Sequence, residues 1–149
     1  MQNIFEALRA DHERQRRLLD ALLDTTGGDG DRRELFEELT AELQAHAMAE
    51  ERHFYVPLMG DDLTQEKARH SVAEHKELDD FVEQLEGYDL AAPQWLITAE
   101  EMAHRLRHHL EEEEREVFQM AGKVLSDDQK TSLASAYENE MNEARSAVS

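Results

Sequence analysis

Two long stretches of the chain repeat each other 63 residues apart, and both carry apolar residues at helical spacing. ADHERQRRLLDAL, beginning at Ala10, lies against AEHKELDDFVEQL, beginning at Ala73. HAMAEERHFYVPLMG, from His46, lies against HLEEEEREVFQMAG, from His109, with a one-residue slip before the final glycine. His12 therefore pairs with His75, His46 with His109 and Glu50 with Glu113. Three polar matches in one register point to a site with pseudo-two-fold symmetry.

Phe5, Leu8, Leu19 and Leu22 define a first helix over residues 2–24, stopped by TTGGDGD. Asp31 followed by Glu34 reads as a capping box for a second helix, which runs to Pro57 and Gly60, with the proline kinking or ending it. A third helix spans Thr64 to Gly87, and a fourth starts at Pro93, a favoured first-turn position, and ends at Gly122. Ser126 with Gln129 caps a fifth helix. With only six glycines and two prolines in 149 residues, the fold class is all-α and the size is that of one domain. The expectation is two antiparallel hairpins forming a bundle over 1–122, with 123–149 as a C-terminal helix packed on the same domain or mediating dimerisation.

A formal charge of -19 repels phosphate backbones and anionic membranes, so nucleic acid is not an expected partner. With no cysteine there is no thiolate ligand, disulfide or iron–sulfur cluster. No apolar run approaches the length of a membrane span, and a cytoplasmic location is the expectation.

Helical phase sorts the eight histidines. His109 shares its face with Met102, Leu106, Glu113, Val117 and Met120, an apolar seam broken only by the two polar residues. His12 falls in line with Phe5, Leu8 and Leu19; His75 with Val72, Leu78, Val82 and Leu85; His46 with Leu39, Leu43, Glu50 and His53. His70, His104 and His108 fall on polar stripes, as do Glu51, Glu112 and Glu114. The interior thus receives one imidazole from each of four helices and a carboxylate from two. In each His-x-x-x-Glu pair one helical turn separates the side chains, so both can reach the same point.

Two ionised carboxylates buried without partners cost several kcal/mol each, an objection that a pair of divalent or trivalent cations removes. Nitrogen-rich ligation with bridging carboxylates suits iron, and six protein ligands for two metals leave positions open. A structural zinc site would favour a closed tetrahedron. Manganese and mixed centres stay open on this reading. The ferritin-like spacing Glu-x-x-His also occurs, at Glu50–His53 and Glu101–His104, but Glu101 and His104 lie on a polar stripe and the two copies do not match at the repeat interval. A metal-free interaction module would have to explain two core carboxylates without cations.

The ordered set DH (His12), HAMAE (His46, Glu50), EH (His75) and HLEEE (His109, Glu113) resembles the hemerythrin-like HHE cation-binding family over about the first 120 residues. The resemblance implies an antiparallel up-down-up-down four-helix bundle around a non-haem di-iron centre, its two Fe ions oxo- or hydroxo-bridged. It also implies that both glutamates bridge the irons and the histidines complete each iron's shell. Oxygen-carrying members use a fifth histidine one turn from that on helix three and an aspartate in place of one glutamate. Here Ser71 or Asp79 stands at the first position and Glu113 at the second. His53 is a candidate fifth ligand or a hydrogen-bond donor to one, whereas Tyr55, a possible phenol ligand, lies roughly opposite His46 in phase. The expected function is binding or reaction of a small oxidant, dioxygen, hydrogen peroxide or nitric oxide, with peroxide disproportionation as a possible turnover. His53 or Glu116 are candidate proton donors. The alternative is an iron or oxygen sensor without turnover.

Overall fold

The structure, a computed structural model, describes residues 2–26 and 30–148, the side chain of Val148 excepted. The glycine-rich turn expected after the first helix lies largely outside the described residues.

Helix α1 (Ile4–Leu23) opens on a reciprocal cap: the Asn3 side chain accepts the Glu6 N–H at 2.9 Å and the Glu6 carboxylate accepts the Asn3 N–H at 3.1 Å. Helix α2 (Gly30–Glu50) starts one residue before Asp31, which sits within the first turn rather than capping it. There its charge still complements the helix's positive end. The chain then runs through one π-helical turn, Glu51–Tyr55, into the short α3 (Val56–Met59), the Val56 N–H reaching back five residues to the Glu51 carbonyl. Pro57 lies inside α3, just beyond this widened register, and the helix ends only at Gly60.

The second hairpin repeats the pattern. Helix α4 (Gln65–Glu86) is followed by α5 (Pro93–Glu112), a π-turn Glu113–Val117 and α6 (Phe118–Val124). Gly122 does not stop α6, because a glycine permits a break without imposing one. Leu125 ends it by turning to extended backbone. Helix α7 (Asp127–Val148) carries the expected cap, Ser126 and Gln129 exchanging backbone-to-side-chain hydrogen bonds at 2.8 and 3.1 Å.

Helices α1, α2, α4 and α5 form a four-helix bundle in which α1 packs on α2 and α5, and α4 packs on α5 and α2. Helix α7 lies along α1 and α2. The interior falls into two apolar blocks. One gathers Ile4, Leu8, Phe54, Leu58, Val117, Phe118 and Tyr137; the other gathers Leu19, Leu22, Phe36, Leu39, Val82, Trp95, Met102 and Leu106. His12, between Leu8 and Leu19 on α1, marks the layer dividing them. Among the described residues no helix is long and apolar enough to cross a membrane.

Candidate metal centre

The dividing layer holds His12, His46, Glu50, His75, His109 and Glu113, none more than 6% exposed. Potential ligand atoms fall into two overlapping groups, His12, His46, Glu50, Glu113 and Glu50, His75, His109, Glu113, in each of which one ligand atom per residue lies within 4.8 Å of the others. Each hairpin contributes a pair of imidazoles and both groups share both carboxylates. The pseudo-two-fold symmetry is metric: ring centroids are 5.1 Å apart for His12 and His46 and 5.0 Å for His75 and His109.

Every Nε2 points inward. The four Nε2 atoms, both oxygens of Glu50 and Oε1 of Glu113 have no hydrogen-bond partner among the described residues. At about 1–3 kcal/mol for each unpaired buried polar atom, seven of them would cost on the order of 10 kcal/mol, as much as a domain's whole net stability of about 5–15 kcal/mol. Their separations show what they fit. His75 Nε2 is 3.1 Å from Glu50 Oε1, His12 Nε2 3.2 Å from Glu113 Oε1, His46 Nε2 3.4 Å from Glu50 Oε2 and His109 Nε2 3.6 Å from Glu113 Oε2. Two donors each about 2.1 Å from one metal ion stand about 3.0–3.5 Å apart at octahedral or tetrahedral angles. The donor set therefore suits cations.

Three of the four opposite ring nitrogens are held from outside. Glu114 accepts from His12 Nδ1 at 2.8 Å and Glu74 from His109 Nδ1 at 2.8 Å. His46 Nδ1 lies 2.6 Å from the Tyr137 hydroxyl, which itself donates to Asp11 Oδ2 at 2.6 Å, so the phenol oxygen accepts from the imidazole. A proton fixed on Nδ1 leaves the Nε2 lone pair free for a metal. Arg145 clamps Asp11 at 2.8 Å and Glu42 at 3.0 Å, and Arg16 holds Glu114 at 3.0 Å. The repeat extends to this outer layer. Glu51 and Glu114, 63 residues apart, face His75 and His12, although Glu51 stands 3.7 Å from its imidazole, beyond hydrogen-bonding range. Asp11 and Glu74 are likewise 63 apart. The solvated-face reading of Glu114 is thus corrected: its side chain is 21% exposed and committed to His12 and Arg16.

The carboxylates and imidazoles of the layer shift one another's proton affinities. Burial and then the neighbouring Glu50 charge push the Glu113 carboxyl well above its ordinary range. Burial also acts to raise Glu50, but the His46 charge and the proximity of Glu113 and His12 hold it well below. Burial alone would lower His12 and His75, yet Glu113, Glu114 and Glu50 raise the first well above its usual value, and Glu50 and Glu51 raise the second to about 9. His109, chiefly through burial, goes down.

Sequence phase misplaced two side chains. Tyr55, expected opposite His46, is fully buried with its ring 5.8 Å from that of His75 and its hydroxyl donating to Glu113 Oε2. The π-turn is the reason, since its wider register rotates the succeeding residues inward. Both π-turns lie at the glutamates of the His-x-x-x-Glu pairs. A signal was present in the repeat: Tyr55 matches Phe118, whose ring stacks on His12 at 6.0 Å. The second, His53, does not join the ligand groups; its Nε2 lies 2.9 Å from Glu140 Oε1 of α7, drawn outward by the same rotation. Glu116 is also outside, 3.0 Å from Lys67 Nζ. Tyr137 carries no such signal, because α7 is not part of the repeat.

The hemerythrin HHE cation binding domain family matches residues 3–121. The chain belongs to that family. No curated protein matches it. Among solved structures it is similar to a hemerythrin HHE cation binding domain-containing protein from Mycobacterium kansasii, at 23% identity and a TM-score of 0.89, over 99% of this chain and 90% of the other. That likeness shows a shared fold extending through α7, beyond the residues the family matches.

Proposed function

We propose that this HHE-domain chain holds two iron ions between Glu50 and Glu113 and uses them to bind or react with a small oxidant: dioxygen, hydrogen peroxide or nitric oxide. The observation that carries the reading is the pair of His₂Glu₂ groups sharing both carboxylates, with seven donor atoms otherwise unpartnered. His12 and His46 would hold one ion, His75 and His109 the other, and the carboxylates would bridge and neutralise. When bound, such a pair supplies open coordination positions and exchangeable electrons to a small ligand.

The chain's own residues set what that ligand can be. A cavity of about 10 Å³, roughly one water molecule in size, adjoins His46, His75 and His109 and is walled by Leu43, Leu78, Val82 and Leu106. Such a wall excludes bulk water and admits only molecules of a few atoms. Gln15 also lines it, fully buried, with neither amide atom hydrogen-bonded among the described residues. Its amide offers two N–H donors and a carbonyl acceptor to a bound ligand. Tyr55 presents a phenolic proton at Glu113, where the second half of the repeat has Phe118.

Metal analysis of protein purified without added metal, with an optical spectrum, tests the proposal. About two iron ions per chain and near-ultraviolet absorption of a bridged ferric pair are expected. Peroxide turnover faster than that of free iron and lost in His109→Ala would support reaction over binding alone. A chain that refuses ferrous ions would overturn both. The sensor reading draws on Tyr137, which ties the layer to α7; it predicts a redox-dependent change in helicity without turnover.

A further inference from the structure

Outside the buried layer, α4 and α5 carry a second pair of His-x-x-x-Glu motifs, His70 with Glu74 and His108 with Glu112. On antiparallel neighbours, the four side chains meet at the surface. His70 Nε2 lies 3.6 Å from Glu74 Oε2 and 3.6 Å from Glu112 Oε1. The remaining oxygens point elsewhere: Glu112 Oε2 is 3.0 Å from His108 Nε2, and Glu74 Oε1 is 2.8 Å from His109 Nδ1. One donor atom from each of His70, Glu74 and Glu112 lies within 4.8 Å of the others.

A separation of 3.6 Å is too long for a hydrogen bond, yet it is close to the spacing of two donors that share an ion at bonds of about 2.1 Å. The carboxylates are also pre-set. Glu74 and Glu112 side chains are each only 16% exposed and each is anchored through its second oxygen, whereas the His70 ring is 55% exposed and can close on an ion. One nitrogen and two oxygens, with water completing the shell, suit a divalent transition ion of borderline softness. The charge of -19 concentrates such cations at the surface.

We propose that His70, Glu74 and Glu112, with His108 bracing Glu112, form a third cation site that binds ferrous, cobaltous or zinc ion. Through Glu74, which also accepts the His109 Nδ1 proton, it adjoins the buried layer from outside.

The test is a cobalt(II) titration of iron-loaded protein, read by visible absorption and by metal content per chain. Wild type is expected to take up one cobalt ion beyond its tight complement. His70→Ala and Glu112→Gln should weaken that ion at least about 100-fold, since losing even a hydrogen-bonding partner of a ligand costs about 10–100-fold, and both should keep the tight metal. His104→Ala, an exposed histidine of α5, should bind as wild type does. Absence of the extra ion, or its persistence in both variants, overturns the proposal. Failure of the buried centre is separately visible, as loss of tight metal from wild type and variants alike.

Discussion

Replacing Tyr137 with phenylalanine tests whether α7 serves the centre or merely covers it. The substitution keeps a fully buried ring and deletes one oxygen that accepts from His46 Nδ1 and donates to Asp11, each at 2.6 Å. Asp11 retains Arg145 at 2.8 Å, so the group left unpaired is the imidazole N–H. That orphan costs about 1–3 kcal/mol, which lowers the melting temperature by roughly 3–10 °C for a chain of this size. A His46 ring free to turn or change tautomer should also bind metal about 10–100-fold more weakly, about 1.4–2.7 kcal/mol. Thermal unfolding with metal and with chelator gives the first quantity, and competition against a chelator of known strength gives the second. Met141→Ala on the same helix provides the contrast. It leaves a cavity worth about 2–4 kcal/mol but deletes no oxygen facing an imidazole, so its metal affinity should not change. If Tyr137→Phe binds metal as wild type does, or if Met141→Ala weakens it equally, the orienting role assigned to Tyr137 is wrong.

The double variant Glu50→Gln, Glu113→Gln should bind no metal pair and, under chelator near pH 6, be about 3 kcal/mol less stable than wild type in denaturant unfolding, because it strips His12 and His75 of the carboxylates that hold their protons; retained uptake of the metal pair would contradict a centre built on these two carboxylates. Glu114, depressed to about 2, stabilises the chelated chain above its unfolded pKa of about 4.3 and is lost as pH falls through 2. His75, raised to about 9, stabilises below about 6.5 and is lost as pH rises through 9. The raised Glu113 carboxyl adds to the alkaline loss, since its contribution fades as pH rises above the usual carboxylate range, so chelated protein should be most stable near about pH 4.5. Metal loading, which needs neutral His75, should abolish the alkaline limb; melts across pH that keep it would refute ligation by His75. Tyr55→Phe should weaken metal binding about tenfold by freeing one oxygen of Glu113, read by the same chelator competition; unchanged affinity would place the hydroxyl outside the centre's support.

The sequence by itself determined the bundle and which six side chains meet in it. A 3.6-residue period fixes the inward face of each helix, and a repeat in register fixes that His12, His46, His75 and His109 lie at one level, because uniform helices preserve phase over their length. The same arithmetic failed beyond Glu50, where a π-turn breaks the uniformity: it carries Tyr55 in and leaves His53 to Glu140, and no local pattern in ERHFY announces the wider register. Only the tertiary structure could decide what surrounds the imidazoles, since Glu74, Glu114 and Tyr137 reach them from 35, 102 and 91 residues away. Helical phase reports which side of a helix a residue occupies. Which groups stand opposite depends on how the helices pack, and that packing puts a proton acceptor behind three of the four ligand candidates.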